Sequence, residues 1–220
     1  MPSKRSYDDA CAAAHALDLV GERWALLIVR ELLLGPKRFS DLRAGLPGVS
    51  PNVLSQRLDD LEGVGVLARR RLPPPANVAV YDLTDWGREL EPVIMALGRW
   101  GVRSPGRPQE APISLDALIL SLRAMFDPAR GTGLRTRLDL RLNGEGFAVE
   151  VGDGDFQIVR GVAEHPDVVL ETRHDTLAGL VYGGLPLDEA LRAGATTLAG
   201  DRAALERFLT LFPLPEPALG

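Results

Sequence analysis

Asn52, Ser55 and Gln56 recur over the first turns of a helical pattern that opens at Ser50-Pro51. An amide side chain can bond bidentately to the edge of an adenine, and short polar groups let a helix backbone come close to base edges in a major groove. Farther along the chain, Arg69, Arg70 and Arg71 stand in a row, followed by Asn77. Groups of that kind contact phosphate, which fixes register without reading sequence. Lys37, Arg38, Ser40, Ser50, Pro51 and Arg57 complete the set. Taken singly, Asn52 and Gln56 could equally be solvated surface and the arginines a charged edge strand; taken in order, these residues have the chemistry of duplex DNA recognition.

Several elements must position them. A helical pattern covers Asp9 to Val20; a second, Glu22 to Leu34, is apolar on most faces, is expected to be buried, and stops at Gly35-Pro36. Ser40 is expected to cap a short helix ended by Gly45. After the Leu46-Pro47-Gly48 turn, Ser50 is a good N-cap and Pro51 suits the first helical position. That helix runs to about Glu62, with Leu54, Leu58 and Leu61 as its inward stripe. Strands over Val66 to Arg71 and Val78 to Leu83 follow, joined by a proline-rich tip. Helices, a turn, a helix and a hairpin make a winged helix-turn-helix.

The net charge of −5 divides unevenly. Residues 1–110 carry 15 Lys and Arg against 14 Asp and Glu, whereas residues 111–220 carry 10 against 16. Gly35 to Arg71 holds seven basic residues against four acids, a local positive patch.

Cys11, then LDLVGERWALLIVRELLLGPKRFSDLRAGLPGVSPNVLSQRLDDLE, then VYDLTDWGRELEPVIMALGRWG resemble, in that order, the HxlR-type winged helix-turn-helix transcriptional regulators over nearly all of residues 9–101. The resemblance implies a homodimer on a pseudo-palindromic DNA operator. By position, Lys37-Arg38-Phe39-Ser40 matches the family's basic-aromatic approach to the helix-turn-helix, and Ser50 to Arg57 the start of its recognition helix. The wing departs from the family, since Leu72-Pro73-Pro74-Pro75 replaces an aromatic-containing tip. Cys11 matches the cysteine that some members use as a redox or electrophile sensor. Asp8 and Asp9 are expected to raise its pKa unless a helix start offsets them, and a buried, inert cysteine is the competing expectation.

Dimerisation also has support in the pattern. After a Thr84 cap, Trp86, Leu90, Val93, Leu97 and Trp100 recur at spacings of four, three, four and three, an a/d seam over two heptads. The same stripe could instead pack on its own domain. Pro92 is expected to bend or break this helix, because it removes a backbone donor.

VRSPGRPQEAP reads as an interdomain linker, giving domains at 1–103 and 113–220 joined by 104–112. Beyond it, Ser114 to Phe126 is an amphipathic helix. From Leu134 the period changes to two, with Arg135, Arg137, Asp139 and Arg141 on a wet face. Asn143-Gly144 and Gly152-Asp153-Gly154 turn successive strands; Val168 to Thr172 is a fourth strand, and short helices end the chain. This half is expected to be an antiparallel meander covered by helices, so the fold class is α+β.

DVVLETRHDTLAGLVYGGLPLDEALRAGATTLAGDRAALERFLTLF resembles the sterol-carrier-protein-like domains, a likeness covering about residues 113–212. It implies a sheet roofed by helices around an apolar cavity for a hydrophobic small-molecule effector. The cavity candidates are Leu118, Leu122, Phe126, Leu177, Leu180, Val181 and Phe208, for each of which ordinary core packing is the competing assignment.

Little in the chain suggests catalysis. It has no G-x-S-x-G, H-E-x-x-H, P-loop or Rossmann fingerprint, and its three histidines are far apart, so no enzyme, cofactor or metal is expected. No apolar stretch is long enough for a bilayer, no signal sequence is recognised, and a single cysteine suits the cytoplasm. The sequence therefore predicts a homodimeric DNA-binding regulator, expected to repress, with an effector domain. The alternatives are a redox sensor acting through Cys11, or a lipid-carrier module whose winged helix serves only for dimerisation.

Overall fold

Helix α1 (Ala12–Val20) starts after Cys11, whose N–H donates to Asp9 Oδ1 at 2.9 Å. The computed structural model describes residues 6–108 and 111–218, so Gln109 and Glu110 of the expected linker lie outside the described residues. Helix α2 (Ala25–Leu32) opens at Trp24, whose φ of 79° is left-handed, and buries Ile28, Val29 and Leu32 as its apolar pattern requires. Helix α3 (Phe39–Gly45) corrects one expectation: its N-cap is Arg38, and Ser40 lies inside the first turn. The Asp41 carboxylate accepts from Arg38 N at 3.3 Å, and Ser40 Oγ donates to that carboxylate instead of capping the helix.

Helix α4 (Pro51–Gly63) buries Leu54, Leu58 and Leu61 against this frame; burying such a side chain contributes about 1.5–3 kcal/mol. Strands β1 (Leu67–Arg71) and β2 (Ala79–Leu83) pair antiparallel, and Lys37 adds a bridge to Tyr81 on the free side of β2. The stretch after Thr84 is two helices, α5 (Asp85–Arg88) and α6 (Glu91–Gly101). Pro92 offers no N–H to Arg88, so the break expected of it falls beside it, and the two-heptad seam is not carried on one continuous helix.

The chain divides into two compact units, Met1–Ile94 and Met95–Gly220. The division falls inside α6, ahead of the proline-rich stretch on which the expected 104–112 boundary rests. In the second unit, Arg99 Nε donates to Ala124 O at 2.5 Å and Arg103 Nε to Glu216 O at 3.0 Å, which holds the segment after Ile94 there.

The second unit begins with α7 (Leu115–Met125), capped by Ser114 Oγ, and a short α8 (Pro128–Gly131). Its sheet holds β3 (Thr136–Leu142), β4 (Glu145–Gly152), β5 (Asp155–Arg160), β6 (Val168–Thr172) and β7 (Thr197–Gly200), in the order β5-β4-β3-β6-β7. Asn143 and Gly144, with φ of 54° and 84°, make the tight turn that an Asn-Gly pair favours. The antiparallel meander is confined to β3, β4 and β5, because β6 lies parallel to β3. After β5, at the sheet edge, the chain recrosses to the other side of β3, a long-range pairing that alternation does not encode. Helices α9 (His174–Tyr182), α10 (Leu187–Arg192) and α11 (Arg202–Leu209) complete the unit. Asp139 departs from the expected wet face. It is 1% exposed, Arg141 Nη2 holds its Oδ2 at 2.9 Å, and its Oδ1 has no partner among the described residues.

Candidate nucleic-acid interface

The first turn of α4 is held by Ser50 Oγ, which accepts from Val53 N at 3.3 Å, with Pro51 at the first helical position. Once the three leucines are buried, Asn52, Ser55 and Gln56 stand on the solvent side. Neither Asn52 nor Ser55 spends its side chain on a hydrogen bond within the described residues, so both keep donors and acceptors for a ligand. Gln56 donates to Asp60 Oδ1 at 3.0 Å and keeps its carbonyl oxygen. Val53, 38% exposed beside them, is a candidate reader that the sequence pattern did not single out. Its methyls suit the C5-methyl of thymine. The available signal was an apolar residue off the inward stripe in the first turn.

The cations are less free than the sequence implies. Lys37 Nζ lies 2.7 Å from Glu31 Oε2, and that carboxylate is buried. Arg57 meets Asp60 at 2.5 Å and Glu22 at 3.2 Å. Arg69 bridges Asp59 and Glu62 while its guanidinium lies 5.3 Å from the Tyr81 ring centre. Arg70 pairs with Asp82, and Arg71 Nη1 donates to Asn77 Oδ1 at 2.9 Å. Arg38 and Arg43, both exposed, have no ion pair among the described residues.

Magnitudes separate anchors from phosphate ligands. An exposed ion pair is worth about 0–1 kcal/mol, so a phosphate can recruit Arg69 or Arg70 at small cost. Asp82 stays paired if Arg70 leaves, since Arg88 Nη2 holds its other oxygen at 2.7 Å. Breaking a buried pair costs about 3–5 kcal/mol, which ties Lys37 to the scaffold. Among the described residues the positive charge without a carboxylate partner therefore includes Arg38, Arg43 and Arg71, and the ion pairs of Arg69 and Arg70 are exchangeable.

Two helices expose apolar surface. Helix α1 buries only Val20 and leaves Leu17 at 49% exposure, and α6 has no buried residue. Trp86, Val93, Leu97 and Trp100 are exposed and Leu90 is half-buried. Cys11 is also exposed, which corrects the expectation of a buried thiol. Its pKa is lowered, first by the backbone N–H of Ala14 and then by that of Ala13, against a smaller opposing effect of desolvation. In the second unit Leu118, Leu122, Leu177, Leu180 and Phe208 are buried, and Phe126 and Val181 are half-buried. Among the described residues no cluster of histidine, cysteine and carboxylate groups could hold a metal ion. No described helix is long and apolar enough to cross a membrane.

Residues 19–107 match the family model described as HxlR-like helix-turn-helix. The HTH-type transcriptional regulator YvaP of Bacillus subtilis (strain 168) is 42% identical over 85 residues, spanning 39% of this chain and 79% of that protein. The chain belongs to the HxlR-like helix-turn-helix family. Another relative of this DNA-binding regulator, sll1512 of Synechocystis sp., is 37% identical over 41% of this chain and 67% of its own length. The second half of the HxlR-like chain, residues 113–219, matches the model described as alkyl sulfatase C-terminal. The solved sec-alkylsulfatase Pisa1 from Pseudomonas sp. aligns there with 21% identity and a TM-score of 0.42, over 48% of this chain and 16% of Pisa1.

Proposed function

We propose that this protein is a homodimeric transcriptional repressor that occupies a pseudo-palindromic operator and takes a hydrophobic small-molecule effector in its second domain. The observation that carries the DNA half is the capped α4, whose Leu54, Leu58 and Leu61 are buried while Asn52, Ser55 and Gln56 remain open to bases. The apolar surfaces of α1 and α6 support the dimer, with Trp86, Leu90, Val93, Leu97 and Trp100 at its interface. The sterol-carrier resemblance supports the effector, and no catalytic step is assigned to either half. Repression follows from a dimer covering promoter DNA.

Selection from a random duplex library tests the DNA reading. The expected result is a sequence with inverted symmetry, bound with a preference that falls in Asn52→Ala and Gln56→Ala by about 1–3 kcal/mol for each bidentate pairing removed. A protein that enriches no sequence at moderate salt would falsify it and favour the lipid-carrier alternative.

Cys11 supports a second, compatible reading. An exposed thiol with a lowered pKa is the form that oxidants and electrophiles attack. Operator binding is then expected to respond to a quinone or a peroxide in the parent protein and not in Cys11→Ser; an equal response in both ends this reading.

A further inference from the structure

Within the second unit, the C-terminal half of α6 and the end of α7 line an open groove of about 540 Å³, closed on one side by Pro213 and Pro215. Its floor is apolar and firmly backed. Met125 is buried, and Phe126 stacks on Phe156 with ring centres 5.2 Å apart, which in turn packs edge-on against Phe212 at 5.2 Å. Trp100, which belongs to the proposed dimer face, stands at the rim.

Arg99 and Arg103 also line this groove. Each is fixed at one nitrogen: Arg99 Nε donates to Ala124 O at 2.5 Å, and Arg103 Nε to Glu216 O at 3.0 Å. Among the described residues their terminal nitrogens carry no bond and neither arginine has an ion pair, although this unit holds 17 Asp and Glu against 13 Arg. An arginine tethered through Nε offers its two terminal nitrogens end-on, a fork that matches a carboxylate or similar oxyanion. A nucleic-acid strand would satisfy the fork and leave the apolar floor uncovered. An uncharged lipid would cover the floor and leave the fork unused.

We infer that this groove binds an amphipathic anion, with its apolar body on Met125 and Phe126 and its oxyanion head on Arg99 and Arg103. The volume lies within the usual range for small-molecule sites. This inference rests on the effector reading above and places that site in the surface groove, in contact with Phe126, and away from the buried Leu118, Leu122 and Leu177.

Calorimetry on the full chain tests it, with decanoate as probe and 1-decanol as the uncharged control. Decanoate is expected to bind once per chain, at least 10-fold tighter than decanol. The double variant Arg99→Gln/Arg103→Gln is expected to lose that preference, Arg99→Lys/Arg103→Lys to keep part of it, and Ala96→Trp, which fills the groove, to bind neither ligand. Thermal melts establish that each variant is folded, and the three variants disturb the groove independently. Decanoate bound equally well by the glutamine and tryptophan variants overturns the groove while leaving an effector elsewhere in the domain. No binding by the parent protein also overturns the groove. The effector reading is then decided separately, by native mass spectrometry of protein drawn gently from its host: a released extra mass upholds it and an empty dimer counts against it.

Discussion

Glu31 is fully buried in α2, with Lys37 Nζ at 2.7 Å and Arg30 Nη2 at 2.8 Å, and a carboxylate cut off from water depends on such partners. Lys37→Met is therefore expected to lower unfolding stability by about 3 kcal/mol in urea titrations, whereas Arg38→Ala stays within roughly 0.5 kcal/mol and loses DNA affinity. Gly45→Ala reaches the same carboxylate, because a methyl there would overlap Glu31 Oε2, the oxygen that Lys37 holds. A loss of comparable size is expected; an unchanged urea midpoint in both variants would remove Glu31 from its structural role. In the second unit, burial pushes the Tyr182 phenol up to about 12, against the opposing hydrogen bond with Ser121 Oγ at 2.9 Å. Its folded pKa exceeds the ordinary tyrosine value of about 10, so its contribution to stability is complete below pH 10 and disappears as the pH rises to about 12. A tyrosinate absorbance step near 12 that Tyr182→Phe removes is the expected signature.

At the scale of elements, local chemistry was legible and long-range pairing was not. The Ser50 cap, the leucine stripe of α4 and the Asn143-Gly144 turn are each decided by neighbours in sequence, and the structure has them where the pattern puts them. The ion pairs of Arg69 and Arg70 arise only once the hairpin folds back on α4 and pairs with itself, so a count of charges overstated the positive patch. Likewise β6 reads plainly as a strand, but nothing within it says that β3 is its parallel neighbour. Helix α6 is the reverse case, since its apolar pattern invites burial that a single chain does not provide. Val93 and Leu97 are each 46% exposed, so charging them leaves the chain's own core untouched. Val93→Glu and Leu97→Glu are expected to raise the dimer dissociation constant at least ~10-fold, since a buried aliphatic side chain is worth about 1.5–3 kcal/mol, while thermal melts at high concentration still show a folded chain. Light scattering measures the first; an unchanged mass profile would remove α6 from the proposed dimer interface.

Across the whole molecule, the charge distribution constrains how DNA can be held. A chain of net −5 with an acidic second half does not attract a polyanion from afar, and beyond about 8 Å salt screens its field anyway. Affinity must come from groups close to the duplex; on the proposed DNA face Arg38, Arg43 and Arg71 have no carboxylate partner among the described residues, and Arg69 and Arg70 could exchange carboxylate for phosphate. Those last two release less than a free cation would, because each gives up an ion pair to bind. The readers and the anchors should separate in a salt series. Arg43→Ala is expected to weaken selected and scrambled duplexes equally and to flatten the slope of log K against log salt by about 0.9 for each phosphate it no longer neutralises. Asn52→Ala is expected to keep the slope and lose the preference for the selected sequence. Anisotropy titrations over a range of salt concentrations measure both quantities at once. If Arg43→Ala keeps the slope while Arg69→Ala flattens it, the hairpin is the principal phosphate clamp and its ion pairs are weaker than their geometry suggests.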